Sequence, residues 1–142
     1  MNTEPIVIEQ PFQVPASRIW SALTLKQEMK LWYFDLVEFI PRPGFKFQFS
    51  GGPAPDRQDL HLCEVEEVVP NKKLSYSWRY EGYSGASEVT FELADFEDKT
   101  MLRLIHAGIE TFPAENPDLS KINFQLGWES IIKVSLRRYL EI

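Results

Sequence analysis

The stretch that decides the fold is SKINFQLGWESIIKVSLRRYLEI, residues 120–142. Its apolar and small side chains recur mostly three and four positions apart, which lays one stripe along a helix; they are Phe124, Trp128, Ile131, Ile132, Ser135 and Tyr139. Ser120, or Asp118 just before it, has a side chain that can cap the start of this helix. A helix of about 20 residues is about 30 Å long, which is enough to cross a small domain.

The residues before this helix show the pattern of β-strands, because apolar and polar side chains alternate between turn residues. Strands are predicted at residues 6–12, 36–40, 45–50, 60–69, 74–80, 89–93 and 100–109. Helical spacing over residues 15–24 and 26–31 predicts two short helices between the first strand and the second. The segment GGPAPDRQD, residues 51–59, is rich in Gly and Pro and is expected to be a mobile loop.

Short connections between successive strands predict an antiparallel sheet rather than a parallel α/β sheet. The expected fold class is α+β, with a curved antiparallel sheet of six to seven strands wrapped around the long helix. We expect one domain spanning residues 1–142. Aromatic residues make up 13% of the chain. So many large rings on a curved sheet favour a cavity between the sheet and the helix.

The composition excludes several classes of function. A formal net charge of −6 disfavours binding to nucleic acid or to an anionic membrane surface. The single cysteine allows no internal disulfide and no cysteine-based zinc site. The first residues lack the pattern of a signal peptide, and no apolar run is long enough for a transmembrane helix. We therefore expect a cytoplasmic protein without membrane insertion.

Several phrases of the sequence resemble a known superfamily. They are VPASRIWSALT at 14–24, the lone Trp32, EVEEVVPNKKLSYSW at 64–78, TMLRLIHAG at 100–108, Gly127-Trp128, and YLE at 139–141. The chain resembles the helix-grip superfamily (SRPBCC) of START lipid-transfer domains, birch-pollen-allergen-like proteins and polyketide cyclases. It is most similar to bacterial single-domain relatives of the C-terminal domain of the activator of the heat-shock protein 90 ATPase.

The sequence departs from that family at two places. Arg42-Pro43-Gly44 stands where family members often carry a Gly pair, and Cys63 stands where they commonly have Gly. The thiol therefore occupies space that relatives often leave open. The shared phrases are structural positions, so the resemblance implies a fold more directly than a function.

The resemblance implies three functions of different classes. The favoured one is binding of a hydrophobic small molecule, lipid-, sterol- or polyketide-like, in an apolar cavity between the sheet and the long helix. The alternative is a chaperone-interaction module for a heat-shock protein 90-type partner in the stress response. The third is a polyketide-cyclase-like enzyme; it ranks last because no nucleophile, metal set or cofactor motif is visible, and no cofactor is expected.

Under the favoured hypothesis, the ligand-binding residues are mostly aromatic; they are Trp32, Phe47, Phe49, Tyr76, Trp78, Phe91, Leu104, His106, Trp128, Ile131 and Ile132. Without the resemblance, the same set describes an ordinary packed core. His106, Tyr76 or Tyr139 would orient one polar group of the ligand. Gly127 lies in the middle of the helix, where glycine costs about 1 kcal/mol relative to alanine, so we expect it to permit a close approach.

His106 is the one candidate acid–base catalyst, because imidazole titrates near neutral pH. The favoured alternative is a core histidine hydrogen-bonded to the backbone or to a tyrosine, since no partner for catalysis is visible. His61, beside the predicted loop, is expected to be solvated. The two histidines are far apart in sequence and have no local partner pattern, so no metal site is predicted. Cys63 is expected to be a small buried residue rather than a reactive thiol.

An acidic stripe follows Cys63 along the same predicted strand. It comprises Glu64, Glu66 and Glu67. We expect a solvated strand edge with one carboxylate turned inward and paired with Arg79 or Arg103, because an unpaired buried carboxylate would be costly.

Overall fold

The structure is a computed structural model that describes residues 3–141, with the side chains of all of these except residues 53 and 54. The strands are β1 Ile6–Phe12, β2 Lys46–Ala54, β3 Arg57–Val69, β4 Lys73–Tyr80, β5 Ser87–Phe96 and β6 Lys99–Ala107, and the first helices are α1 Ala16–Thr24 and α2 Lys26–Trp32. Single turns of 3-10 helix follow at Ile109–Thr111 and Pro117–Leu119. The long helix then has an α-helical part Lys121–Ser130, a π-helical part Ile131–Leu136 and a last α-helical turn Arg137–Leu140.

The six strands form one antiparallel sheet in the order β1-β6-β5-β4-β3-β2. Each neighbouring pair from β2 to β6 is consecutive in sequence, so the connections are hairpins, and β1 closes on β6. The predicted α+β fold class and its helix-grip arrangement, a curved sheet around a long helix, are confirmed. Residue 142, at the end of the predicted helix, lies outside the described residues.

The inner face of the sheet carries the side chains that the alternation predicted. On β2, Phe47 and Phe49 are buried, whereas Lys46 and Gln48 are exposed. On β3, Cys63 lies opposite Phe47 in the register and is buried, as expected for a small core residue. Burial also raises the pKa of the Cys63 thiol, which keeps it protonated.

The long helix is tied down at its start and in its middle. The Ser120 hydroxyl accepts a hydrogen bond from the backbone N–H of Asn123 at 3.3 Å, so Ser120 is the cap. In the π-helical part, the Ser135 hydroxyl donates to the backbone carbonyl of Trp32 at 2.7 Å. Near its end, the Tyr139 hydroxyl donates to Glu28 on α2 at 2.7 Å. The last two contacts hold the long helix to α2.

The predicted strand at residues 36–40 is wrong. Leu36 and Phe39 are both buried although they lie three positions apart, while Val37 is 94% exposed. Such spacing does not fit a strand, whose side chains alternate every second residue. The segment instead packs rings against β2, with the rings of Phe39 and Phe47 at 5.1 Å in an edge contact.

The prediction of a loop at residues 51–59 is also wrong, because β2 and β3 extend into it as a hairpin with a turn at residues 55–56. The register shifts between Gly51 and Ala54. A Cβ atom at Gly52 would lie 1.8 Å from the backbone oxygen of Arg57. The glycines that indicated a loop therefore lie at a register shift within paired strands, where the close approach of the backbones leaves no room for a side chain at Gly52.

The expected inward carboxylate of the acidic stripe is absent from the described structure, since Glu64, Glu66 and Glu67 are all exposed. A register irregularity between Val65 and Glu67 leaves Val65 buried and turns the next two side chains outward. Partial desolvation, then a hydrogen bond with Glu88 and repulsion from the charges of Glu88 and Glu64, raise the pKa of Glu66 to about 7. The predicted pairing with Arg103 is wrong as well, because that guanidinium pairs with Glu9 at 2.8 Å.

Across residues 3–141, we find no helix that is both long enough and apolar enough to span a membrane.

Candidate functional site

A pocket of about 490 Å³ lies between the β2–β3 hairpin and the first half of the long helix. Its walls come from the segment after α2, the hairpin, the end of β4, the turn before the long helix and the helix itself. The lining residues are Phe34, Gly51, Gly52, Asp59, His61, Trp78, Tyr80, Asp118, Leu119, Asn123, Phe124, Leu126, Gly127, Trp128, Ser130 and Ile131. A space of this size with aromatic walls and few polar groups is typical of small-molecule sites.

Small residues of the hairpin bring aromatic rings together at the mouth of this pocket. A Cβ atom at Gly51 would lie 3.2 Å from a ring carbon of Phe34 and 3.3 Å from the Cε1 atom of His61. Phe34 in turn stacks on Phe49 with ring centroids 4.1 Å apart. The glycine therefore lets the segment after α2 close against the hairpin.

His61 is buried in this wall, with only 6% of its surface exposed, so the expectation that it would be solvated is wrong. Its ring stacks on Phe49 at 4.4 Å and meets the edge of Trp78 at 5.0 Å. The Nδ1 atom lies 3.0 Å from the carbonyl oxygen of Asp59, which can only accept, so Nδ1 carries the proton. The other nitrogen, Nε2, is left as an acceptor in the pocket wall. Burial lowers the pKa of His61 to about 4.

Behind the pocket, a buried chain of hydrogen bonds links the long helix to the sheet. Trp128 donates from Nε1 to Nδ1 of His106 at 2.9 Å. Because this nitrogen accepts, the proton of the neutral ring sits on Nε2, which donates to the Ser87 hydroxyl at 2.8 Å. Ser87 then donates to the backbone carbonyl of Trp78 at 2.8 Å. The chain fixes the indole of Trp128, whereas the indole N–H of Trp78 donates to the Tyr80 hydroxyl at 2.8 Å.

This chain accounts for both nitrogens of His106. The ring is fully buried, and burial lowers its pKa to about 3. Throughout residues 3–141, no buried side-chain nitrogen or oxygen atom lacks a hydrogen-bond partner. The ring is thus a hydrogen-bonded core histidine, but its partners are the side chains of Trp128 and Ser87 rather than the backbone or a tyrosine.

The pocket brings together three of the predicted ligand-binding residues, namely Trp78, Trp128 and Ile131. Two others, Phe49 and His106, lie directly behind it in contact with its walls. The remaining six do not line it and belong to the packed core under the rest of the helix; they are Trp32, Phe47, Tyr76, Phe91, Leu104 and Ile132.

The residues expected to orient a polar group of the ligand are placed elsewhere. Tyr76 is buried with its hydroxyl 2.7 Å from that of Tyr33. Tyr139 lies near the far end of the long helix, where it contacts Glu28 and the guanidinium of Arg18. Neither of these tyrosines lines the pocket.

The expected close approach at Gly127 is wrong. No atom lies within 4 Å of the position that a Cβ would occupy there, and the residue is exposed. Gly127 instead lines the pocket, so its missing side chain leaves open space there rather than room for a neighbouring strand.

Sequence reasoning missed several lining residues, including Phe34, Tyr80 and His61. A signal for the last one was present, because His61, Cys63 and Val65 alternate along β3 and all three are buried. The same period would have placed His61 on the inner face opposite Phe49. For Phe34, which follows α2 in an irregular segment, the sequence offers no comparable signal.

The rim of the pocket is charged on one side. Asp59 and Asp118 line it, and a guanidinium nitrogen of Arg57 lies 3.7 Å from a carboxylate oxygen of Asp118. The Asn123 side-chain amide donates to the Asp118 backbone carbonyl at 2.9 Å. Within the described part of the chain, no group of three or more His, Cys, Asp or Glu side chains is arranged to hold a metal ion.

Comparison with known proteins places the chain among relatives of a co-chaperone. A sequence profile for "Activator of Hsp90 ATPase homolog 1-like protein" matches residues 13–141. The Hsp90 co-chaperone AHA1 of Saccharomyces cerevisiae is 25% identical over 142 residues, which cover 94% of this chain and 38% of the yeast protein. The chain therefore spans well under half the length of that relative.

Two bacterial crystal structures are similar over nearly the whole chain. Protein MLL2253 from Mesorhizobium loti is 27% identical with a TM-score of 0.77, and 97% of each chain is covered. CalU16 from Micromonospora echinospora is 26% identical with a TM-score of 0.75, covering 96% of this chain and 76% of that one. With the profile match over most of the chain, these similarities establish that the protein belongs to the family of activator of Hsp90 ATPase homolog 1-like proteins.

Proposed function

We propose that the protein binds a hydrophobic, ring-containing small molecule in the pocket between the β2–β3 hairpin and the long helix. The observation that carries this proposal is the lining, in which five aromatic rings surround about 490 Å³ and a few polar groups converge. Those rings belong to Phe34, Trp78, Tyr80, Phe124 and Trp128. Binding would be driven by burial of apolar ligand surface against them.

Two features of the pocket support binding rather than mere packing. The indole of Trp128 donates to His106 and that of Trp78 donates to the Tyr80 hydroxyl at 2.8 Å, so both rings are oriented before a ligand arrives. The core under the rest of the helix is filled by large side chains, which confines the ligand to the end near Gly127. The proposed binding site therefore lies along only the first half of the long helix, not along its whole length.

A matched pair of variants tests this proposal. Gly127→Phe would place a ring in the pocket, whereas Val134→Phe would add the same ring to the outer face of the same helix. A panel of apolar ring compounds is screened by thermal shift and by quenching of tryptophan fluorescence. A ligand present at 100 times its Kd stabilises the protein by about 2.7 kcal/mol. We expect a hit whose effect is lost in Gly127→Phe and kept in Val134→Phe; a flat screen refutes the proposal.

A second candidate is interaction with an Hsp90-type chaperone, and the observation that favours it is the family membership with the yeast co-chaperone as a relative. The test mixes the protein with a bacterial Hsp90 homologue and measures binding and ATP hydrolysis. If this is the function, Gly127→Phe should keep the effect, because the pocket would be incidental to the contact. If the two proteins do not bind and the rate of ATP hydrolysis does not change, this candidate function is ruled out.

We do not propose catalysis by His106. Its two nitrogens are committed to Trp128 and Ser87 inside the core, so neither is free to exchange a proton with a substrate.

A further inference from the structure

We infer that the pocket selects an uncharged or positively charged planar aromatic ligand that carries a hydrogen-bond donor, and that it rejects carboxylates. This inference rests on the proposed function and names the class of ligand for the same site. It separates aromatic alcohols and amines from fatty acids, which the apolar lining alone would not do.

The first basis is the sign of the charge around the pocket. The lining contains two carboxylates, those of Asp59 and Asp118. Among the residues that the structure describes, no Lys or Arg lines the pocket. The guanidinium of Arg57 lies 3.7 Å from the Asp118 carboxylate, and the Arg57 side chain is 57% exposed. The whole chain carries a formal net charge of −6, which adds to the same field.

An anionic ligand would thus meet like charge with no cation dedicated to it. A buried carboxylate without a partner is costly, whereas a cation would gain from the two acids. The faces of Trp78, Tyr80 and Trp128 also attract a cation, since an aromatic ring is negative on its face. The two carboxylates and the aromatic faces therefore all favour a cationic ligand over an anionic one.

The second basis is the free acceptor on His61. Its Nδ1–H is used by the carbonyl of Asp59, so the neutral ring keeps Nε2 as an acceptor beside the rings of Phe49 and Trp78. An O–H or N–H group on the ligand would satisfy this acceptor. A ligand lacking such a donor would leave it unpaired after water is displaced, and sites of that kind discriminate strongly.

The third basis is the shape of the walls. Rings of Phe34, Tyr80, Phe124 and the two indoles present faces and edges on several sides of the space. Phe124 also packs edge-on against His106 at 4.9 Å, which fixes its orientation. Flat rings stack on such surfaces with little loss of conformational entropy, whereas a flexible acyl chain must be ordered.

The test uses four probes that share one ring system. They are 2-naphthol, 2-naphthylmethylamine as the cation, 2-naphthoate as the anion, and 2-methoxynaphthalene, which has no donor. Decanoate is the flexible carboxylate for comparison. Dissociation constants are measured by calorimetry and tryptophan quenching at pH 7 and low salt. We expect the naphthol and the amine to bind on the order of tenfold more tightly than naphthoate, and the methoxy compound to bind more weakly than the naphthol.

Charge-matched variants show where the selectivity comes from. The double variant Asp59→Asn/Asp118→Asn should raise the affinity for naphthoate toward that for naphthol. The control Asp95→Asn/Asp98→Asn changes the net charge equally at the β5–β6 hairpin, away from the pocket, and should leave the order unchanged. His61→Leu should abolish the difference between naphthol and its methyl ether.

The outcomes distinguish this inference from the proposed function. Naphthoate or decanoate binding as tightly as the naphthol and the amine would overturn the inference while leaving the pocket a ligand site. Equal effects of the two double variants would also overturn it. If none of the naphthalene probes binds but another compound does, the inference fails alone; if nothing binds at all, the proposed function fails with it.

Discussion

The buried histidine behind the pocket gives the sharpest prediction, because its neutral state should make the protein sensitive to mild acid. The perturbation is a drop from pH 7.5 to pH 5.0, compared between wild type and His106→Gln. In the folded protein, burial lowers the pKa of His106 from its ordinary value of 6.5 to about 3. In the unfolded chain, the same imidazole takes up a proton near pH 6.5.

The sign follows from which state binds more protons. Between pH 6.5 and about pH 3, the unfolded chain holds one proton at this position that the folded protein does not. The free energy of unfolding therefore falls by about 1.4 kcal/mol per pH unit in this range, or about 2 kcal/mol at pH 5.0. Above pH 6.5 the ring is neutral in both states and adds no dependence on pH.

Urea unfolding followed by circular dichroism at several pH values measures this effect. His106→Gln is expected to lower stability at every pH, because the amide fits the hydrogen-bond chain less well, yet to lose about 2 kcal/mol less than wild type between pH 7.5 and 5.0. His61 is also buried with a lowered pKa, but it is present in both proteins, so its contribution cancels in the comparison.

Equal losses of stability in the two proteins over this pH range would refute the reasoning. An independent check is the proton resonance on Cε1 of His106 in the wild-type protein, which should not titrate between pH 8 and pH 5. This measurement remains available if the variant does not fold. A titration midpoint near pH 6.5 would show that the His106 ring takes up a proton in the folded protein as easily as an exposed imidazole in water.

Three further substitutions test other parts of the structure. Gly127→Ala should raise stability by about 0.5–1 kcal/mol in thermal unfolding, because the site is helical and open to an added methyl; a loss would mean that the backbone there needs glycine. Ser87→Ala should cost about 1–3 kcal/mol in urea unfolding, since it leaves the buried imidazole N–H of His106 without its partner and removes one donor from the carbonyl of Trp78; a change below about 0.5 kcal/mol would contradict the chain of hydrogen bonds. Arg57→Ala should change stability by less than about 1 kcal/mol, because its pair with Asp118 is exposed; a larger melting shift would show that the pair holds the hairpin closed.

The local patterns of the sequence predicted the architecture because they record which side of each element is buried. The period of two along Phe45, Phe47 and Phe49 places the last two rings inward on β2. The helical spacing after Ser120 likewise places Trp128 and Ile132 against the sheet. Where the apolar residues followed no single period, as from Leu36 to Ile40, the predicted strand was wrong.

The site was less predictable because its parts are distant in sequence. Trp128 donates a hydrogen bond to His106, 22 residues away in sequence, and the Ser135 hydroxyl donates to the backbone of Trp32, 103 residues away. A pattern shows that a residue faces inward, but it does not show which inward side chain it will meet. For that reason the sequence predicts that His106 faces inward, as a core residue or a catalyst, but it does not predict which residue His106 contacts.

The amount of empty space in the interior depends on how the side chains pack in three dimensions. The local patterns of the sequence were enough to predict a sheet, a long helix and an excess of rings on their facing sides. Whether these rings fill the interior depends on their packing, which lets Phe47, Tyr76 and Phe91 close the middle of the core. At Gly127 no side chain fills the gap, and the hairpin glycines bring Phe34 and His61 to its edge. Volume depends on all the neighbours of a site at once, and no local pattern contains that information.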